Sequence, residues 1–243
     1  MAESPARVFL GMLTPSSNTI LEPVTTAMLA GLPEVTAHFS RFKVTEIALS
    51  GPALAQFDDS EILAAAELLA HAKVNVIAWN GTSSGWLGFE RDVQLCERIT
   101  QATGIPACTA MLALNEILEI TGAKRLGFVT PYLDDVQVRI NANYTKAGYT
   151  VAADRHLGMQ DNFSFSTVTA GQMRQMTRDV AAAMPEAISI ICTNMRGAPL
   201  AEELEAAHGI PVYDTVSTTV WKSLRLAGVD TRRVKGWGRI FGV

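Results

Sequence analysis

The chain has 243 residues, of which 48% are hydrophobic and 18% charged, and its formal net charge is −4. This composition supports a buried core and disfavours disorder. Without a long run of Lys or Arg, the chain offers no electrostatic surface for nucleic acid or an anionic membrane. Its apolar stretches fall short of the about 20 residues that a membrane-spanning helix needs, and its first residues lack the features of a secretory signal. We therefore expect a cytoplasmic protein with a small-molecule partner.

Short apolar runs alternate with longer amphipathic segments, which is typical of βαβ units with parallel sheets. Compact apolar runs predict buried strands at Val8–Leu13, Val74–Trp79, Leu126–Thr130 and Ile188–Cys192, with further strands after Ile105-Pro106 and Ile210-Pro211. Amphipathic patterns predict helices at Asp59–His71, Phe89–Thr103, Leu112–Thr121, Asp134–Ala147, Ala170–Ala183, Ala201–His208 and Thr218–Ala227. Gly104 and Gly122 stand where two of these helices should stop.

The two halves of the chain show a similar order of strands and turns, as in an internal repeat. Thr14 and Thr130 follow corresponding strands 116 residues apart, while Gly81 and Cys192 follow a second pair 111 residues apart. Similar offsets predict two pseudo-symmetric, Rossmann-like α/β lobes with parallel sheets. The expected ranges are 1–115 and 116–215 for the lobes, and 216–243 for a C-terminal helix and tail that pack back on the first lobe. Ligands of open α/β sheets bind beyond the carboxyl ends of the strands, so the active site is expected in the cleft between the lobes.

Three widely spaced cysteines fit a reducing compartment rather than a disulfide framework. Because the chain has no CxxC pair and its histidines are scattered, it shows no metal-binding pattern. We interpret Cys96 and Cys108 as core residues and expect neither a metal nor a cofactor. The sequence leaves the subunit number open, a homo-oligomer included.

The segment 81–85 (GTSSG) follows an apolar strand and presents backbone N–H groups and hydroxyls that favour an anion. It matches neither the phosphate-binding P-loop nor the GxGxxG dinucleotide motif, so a carboxylate is the natural guest. The alternative is an ordinary polar loop.

Cys192 ends a predicted strand and precedes a predicted helix and Arg196. That setting favours a thiolate and hence a reactive cysteine, although buried strand cysteines are commonly inert. Two further groups lie at the same sheet edge. Asn18, within 15–19 (PSSNT), is either a ligand or a helix cap; Tyr132 either donates to a carboxylate or is a buried tyrosine with a satisfied hydroxyl.

These segments together resemble the aspartate/glutamate racemase superfamily. Segments 80–83 (NGTS), 102–106 (ATGIP), 130–136 (TPYLDDV) and 191–192 (IC) resemble arylmalonate decarboxylases. Segments 15–19 and 158–163 (GMQDNF) resemble maleate isomerases. The resemblance spans nearly the whole chain, including 225–228 (RLAG) and 238–241 (GRIF). It implies Cys192 as the catalytic residue and a set of substrate-binding residues comprising Asn18, Gly81, Thr82, Ser83, Tyr132, Asn162 and Thr193.

The chain departs from the superfamily in two respects. Racemases and isomerases of the superfamily usually carry a cysteine in each lobe, whereas the first-lobe position here is Gly81. This departure favours an arylmalonate-decarboxylase-like lyase in which Cys192 donates a proton to the carbanion. Conversely, Asn18 and Asn162 are expected to bind a second polar group, in contrast to the apolar pocket that the resemblance to decarboxylases implies.

Two alternatives remain open. One is a maleate-type cis–trans isomerase, or a racemase-like enzyme, that uses a single cysteine. The other is a non-catalytic carboxylate-binding protein. All three hypotheses assign the chain a small carboxylate or dicarboxylate as its ligand.

Overall fold

The computed structural model describes residues 7–51 and 59–243, and the helix predicted from Asp59 begins at the edge of the second range. Two four-stranded sheets, in which every pairing between strands is parallel, form two α/β lobes. The first sheet contains β1 (Val8–Pro15), β2 (Val35–Phe42), β3 (Val76–Trp79) and β4 (Ala107–Thr109). The second contains β5 (Arg125–Thr130), β6 (Thr150–His156), β7 (Ala187–Ile190) and β8 (Val212–Asp214).

The two sheets have the same topology. Their strand orders are β2-β1-β3-β4 and β6-β5-β7-β8, so each strand of the first lobe has a counterpart four strands later. Thr14 and Thr130 lie at the ends of the matched strands β1 and β5, while Gly81 and Cys192 each follow the matched strands β3 and β7 by two residues. The prediction of two pseudo-symmetric lobes is confirmed.

Nine helices among the described residues cover the sheets. They are α1 (Leu21–Met28), α2 (Asp59–His71), α3 (Ser84–Leu87), α4 (Glu90–Thr103), α5 (Ala110–Thr121), α6 (Asp134–Lys146), α7 (Ala170–Ala181), α8 (Ala201–His208) and α9 (Thr215–Leu226). Gly104 and Gly122 end α4 and α5 in the left-handed conformation, with φ of 70° and 71°. Glycine adopts this conformation without steric cost, which explains why both helices stop where the sequence predicted.

The sequence patterns missed two of the four outer strands, β2 and β6. Within the described residues each pairs with one neighbouring strand, and most of its residues are partly buried. An edge strand of this kind carries polar side chains such as Arg41 and Arg155, so it lacks the continuous apolar run that marks an inner strand. The predicted strand Ile188–Cys192 also ends earlier, at Ile190, so Cys192 lies in the loop beyond the sheet.

The last helix returns to the first lobe. α9 packs against α5 and β3, and the Thr218 hydroxyl donates to the carbonyl of Ala110 over 3.0 Å. The boundary predicted at residue 115 falls inside α5, the helix that connects the two sheets. No helix in the described parts of the chain is both long and apolar enough to cross a bilayer.

Candidate active site

One small cavity lies where the strand ends of the two lobes meet. Its lining includes the predicted residues Gly81, Thr82, Ser83, Tyr132, Asn162, Cys192 and Thr193. Five further residues complete it: Pro15, Val44, Ile47, Trp79 and Trp86. The fold therefore brings seven of the eight predicted site residues around one space, although they are spread over more than 100 positions of the chain.

Tyr132 contacts the loop 81–85, the predicted anion-binding loop that we call the anion cradle, and lines the same cavity as the cysteine. Its hydroxyl oxygen lies 2.7 Å from Oγ1 of Thr82, and the same hydroxyl lowers the pKa of the Cys192 thiol. Trp86 and Phe165 hold the ring at centroid distances of 5.2 and 5.6 Å. Burial raises the pKa of Tyr132 well above its ordinary value, so the phenol is a protonated donor at neutral pH.

Cys192 is a buried thiol, with 2% of its surface exposed. Burial raises its pKa to about 12, although hydrogen bonds from the backbone N–H groups of Asn194 and Met195 and from Tyr132 lower it in part. The expectation of a favoured thiolate was wrong, because desolvation of the charged form outweighs those donors while Arg196 is exposed to solvent. The thiol is an acid that keeps its proton at neutral pH.

Asp214 is a buried carboxyl group at the end of β8 that the sequence interpretation overlooked. It accepts a hydrogen bond from the Val216 N–H over 2.8 Å, which caps α9. Burial raises its pKa to about 7. Its negative charge in turn opposes a thiolate at Cys192, which reinforces the protonated form.

Asn18 lies one layer behind the cavity rather than in its lining. Its Oδ1 accepts from the N–H groups of Ile20 and Leu21, each over 2.9 Å, at the start of α1. Its Nδ2 donates to the carbonyl and hydroxyl oxygens of Thr193 over 3.1 and 3.2 Å. Both ends of the amide are thus engaged by protein groups, so Asn18 positions Thr193, and a direct bond from Asn18 to substrate stays a prediction.

Asn162 does reach the cavity and is held by three loops. Its Nδ2 donates to the Ser17 hydroxyl over 2.7 Å, and its backbone carbonyl accepts from Nδ2 of Asn194 over 2.6 Å. Asn194 also accepts from the Thr19 N–H over 2.9 Å. Asn194 thereby ties the loop after β7 to loops of both lobes, a role that its position two residues after the cysteine could have suggested.

The cavity has an apolar side that sequence reasoning did not find. Val44 and Ile47 come from the loop after β2, while Trp79 ends β3. The first two residues carry no local signal of function, because their position depends on how that loop folds over the cleft. Trp79 did have a sequence signal, because it is the one aromatic residue in an aliphatic strand and lies two positions before the cradle.

Two matched loops, one from each lobe, pair above the cavity. The Ile47 N–H donates to the Gln160 carbonyl over 2.9 Å, and the Asn162 N–H donates to the Thr45 carbonyl over 3.0 Å. Glu46 and Asp161 form an antiparallel bridge between these bonds. The free space in the cavity is about 20 Å³, which is room for about one water molecule, so a dicarboxylate does not fit unless residues of the lining move.

A two-lobed α/β fold that places a buried, protonated cysteine beside hydroxyl groups in the cavity between its lobes is typical of cysteine-dependent enzymes that act on small carboxylates. Comparison with known proteins places the chain within this class. The profile of the arylmalonate decarboxylase family matches residues 18–241, and the chain belongs to that family.

Individual relatives lie on two branches. An arylmalonate decarboxylase from Bordetella bronchiseptica is 27% identical over 169 residues, covering 68% of this chain and 70% of the relative. A maleate isomerase from Pseudomonas putida is 28% identical over 238 residues, covering 91% and 92%. A mutant of maleate cis–trans isomerase from Nocardia farcinica, solved with a covalently bound succinylcysteine intermediate, superimposes with a TM-score of 0.89 at 22% identity, over 97% of this chain and 98% of that one. This last likeness shows a shared fold.

Proposed function

We propose that this protein is a cofactor-independent decarboxylase of small, malonate-like dicarboxylates in which Cys192 is the proton donor. The observation that carries the proposal is that Thr82, Tyr132 and Cys192 line one cavity, in which the Thr82 and Tyr132 hydroxyl oxygens lie 2.7 Å apart. The family relationship supports lyase chemistry, and the cytoplasmic location expected from the sequence fits a small metabolite as substrate.

The first step is binding of one substrate carboxylate at Thr82, Ser83 and Tyr132. These residues offer hydroxyl donors, and they keep contact with that carboxylate when it becomes an enediolate. Each well-placed donor to a developing oxyanion lowers a barrier by about 2.7–4 kcal/mol. The cradle therefore stabilises the charge that the reaction creates.

The second carboxylate then faces the apolar side formed by Val44, Ile47 and Trp79. A carboxylate placed there loses its hydration without gaining a partner, which raises its free energy. Cleavage of the bond to the α-carbon releases neutral carbon dioxide and leaves the electron pair on the α-carbon and the cradled carboxylate. Because Asn18 is bound to Thr193, the pocket is less polar than the sequence alone suggested.

The Cys192 thiol completes the reaction by donating its proton to the α-carbon. A proton taken from water then restores the thiol, so atoms and charges balance over one turnover. General acid catalysis of this kind contributes about 10²–10⁴-fold to a rate. A group that holds its proton at neutral pH suits this role, and a single acid on one face delivers the proton with one stereochemical outcome.

Substitution of the cysteine tests the proposal. Cys192→Ala should lower carbon dioxide release from an arylmalonate at least about 10³-fold, while the substrate still raises the unfolding temperature. Cys96→Ala is the matched control, since Cys96 lies on α4 away from the cavity lining, and it should turn over at the parental rate. Parental turnover by Cys192→Ala would refute the mechanism, and binding without turnover by the parent would favour a carboxylate-binding protein.

A maleate-type cis–trans isomerase is the second candidate. The position of Asn162 at the cavity favours it, as does the greater coverage of the maleate isomerase relatives. Addition of sulfur to a double bond requires a thiolate, however, and burial disfavours that form of Cys192. Incubation with maleate, followed by proton NMR for fumarate, separates the two reactions.

A further inference from the structure

The space beside Gly81, where the first lobe would carry a second cysteine, is filled by an indole ring. A Cβ atom built on Gly81 would lie 2.5 Å from Cη2 of Trp79 and closer still to Cζ2 and Cε2. Carbon atoms in favourable contact are about 3.5–4.0 Å apart. No side chain fits at Gly81 unless the Trp79 ring moves.

The Trp79 ring lines the cavity on one side and is closely packed on the other. Trp79 is 1% exposed and packs against Phe42 with ring centroids 5.0 Å apart. It is also a rigid side chain in a close-packed interior, where displacement of one ring requires displacement of its neighbours. The glycine and the tryptophan are therefore one packing unit.

The second lobe shows what the equivalent position looks like when a cysteine is present. Trp79 is the last residue of β3 and Ile190 is the last residue of β7; Gly81 and Cys192 each follow two positions later. Ile190 lies against Gly197, with its Cδ1 2.9 Å from the site of a Cβ on that glycine. The pseudo-symmetric lobes thus differ in a matched pair: a small aliphatic residue accompanies the cysteine, and a large ring accompanies the glycine.

We propose that Trp79 is the specificity-determining residue of the site, because its indole occupies the face opposite Cys192 and excludes a second acid from it. The inference rests on the proposed function and adds the reason for one-sided chemistry. A planar enediolate held between the indole and the thiol receives its proton from the Cys192 side alone. The product is formed as one enantiomer and is not racemised afterwards, since no group on the Trp79 side removes or returns an α-proton.

A double substitution that copies the second lobe into the first tests this assignment. Trp79→Ile combined with Gly81→Cys should create a second thiol across from Cys192. The sulfur introduced at position 81, as a thiolate, removes the α-proton of one arylpropionate enantiomer while the Cys192 thiol donates its proton to the opposite face. Exchange of protons with water then restores both sulfurs. The reaction is run in deuterated water, and chiral chromatography measures the rate of racemisation. This rate should be at least tenfold higher in the double variant than in Gly81→Cys or Trp79→Ile alone.

A measurement without substrate keeps the inference separate from the proposed function. Gly81→Cys should lower the unfolding temperature in the parent but by clearly less in the Trp79→Ile background. Gly81→Ala, which adds a Cβ without a thiol, should show the same coupling and no racemisation. Failure of Gly81→Cys to fold, with recovery in the double variant, is the same result in a stronger form.

Two outcomes would overturn the assignment. One is a decrease in unfolding temperature in the double variant that equals the sum of the decreases in Gly81→Cys and Trp79→Ile. This result would mean that the indole does not exclude a side chain at Gly81. The other is racemisation by Gly81→Cys alone at the rate of the double variant. Absence of turnover in the parent would instead count against the proposed function, and the stability coupling would still be measurable.

Discussion

At the scale of single residues, neighbours rather than residue type decide the chemistry of the site. Cys192 is followed by backbone N–H donors that would favour a thiolate, yet burial and the nearby Asp214 keep the sulfur protonated. Tyr132 is a buried ring whose hydroxyl is satisfied by Oγ1 of Thr82 at 2.7 Å, while donation from that hydroxyl to a substrate carboxylate stays a prediction.

The Tyr132 hydroxyl is tested by Tyr132→Phe, which keeps the ring packing against Trp86 and Phe165. Loss of this donor should reduce kcat about 10²–10³-fold. The pKa of Cys192 should rise further, because one of the bonds that lower it is gone. Tyr149→Phe, at a half-buried ring outside the cavity, should retain parental kcat; parental kcat in Tyr132→Phe would show that the hydroxyl does not take part.

Asp214 should make stability depend on pH. Its carboxyl pKa is raised by burial to about 7, so its stabilising contribution is complete below about pH 4 and is lost as pH rises through about 7. Asp214→Asn removes this titration. The unfolding temperature of the variant minus that of the parent should therefore increase as pH is raised from about 4 to about 8. The control is Asp230, an exposed carboxyl whose pKa is lowered by the Arg232 side chain. For Asp230→Asn, the same difference in unfolding temperature should decrease or stay constant over this pH range.

At the scale of elements, the site depends on loops that follow strands the sequence patterns missed. β2 and β6 are polar edge strands, and the loops after them pair through the bridge between Glu46 and Asp161. The cavity next to this pairing has room for about one water molecule. We therefore expect access of substrate to depend on these two loops.

A disulfide across the loops should lock the site closed. Glu46 and Asp161 face each other between two hydrogen bonds, the pairing in which Cα atoms lie about 4.5 Å apart, within disulfide range. Glu46→Cys with Asp161→Cys should lose at least about tenfold in turnover when oxidised and recover on reduction, because the loops can no longer separate. Each single variant should respond little to oxidation, and full turnover by the crosslinked protein would show that substrate reaches Cys192 by another route.

At the scale of the whole molecule, the two lobes are joined by polar side chains as well as by chain connectivity. Asn194 bonds loops after β1 and β6, Thr193 donates to the Asn80 carbonyl over 2.8 Å, and α9 packs on the first lobe. These contacts are buried, so they are costly to leave unmade. They fix the distance between the cradle and the thiol.

Removal of the Asn194 side chain should weaken this junction. Asn194→Ala leaves the buried Asn162 carbonyl and the partly buried Thr19 N–H without their partner, at about 1–3 kcal/mol for a buried group. For a chain of this size, about 2–4 °C of unfolding temperature corresponds to each kcal/mol, so scanning calorimetry should show a decrease of at least about 4 °C. Gln175→Ala, at an exposed position on α7, should change the temperature by less than about 2 °C.

The sequence by itself determined the two lobes, their inner strands, most helix boundaries and seven of the residues that line the cavity. These features follow from local signals: apolar runs, helix-ending glycines such as Gly104, and motifs placed directly after strands. Local signals also carried the family resemblance, because several of the segments that mark it, such as 80–83 and 191–192, directly follow strands.

Only the tertiary structure decided the protonation of Cys192, the position of Asn18 behind Thr193, and the filling of the Gly81 space by Trp79. The physical reason is the same in each case. Desolvation, hydrogen-bond partnership and steric exclusion depend on groups that fold brings together, and the apolar side of the cavity comes from a loop whose position no local pattern specifies.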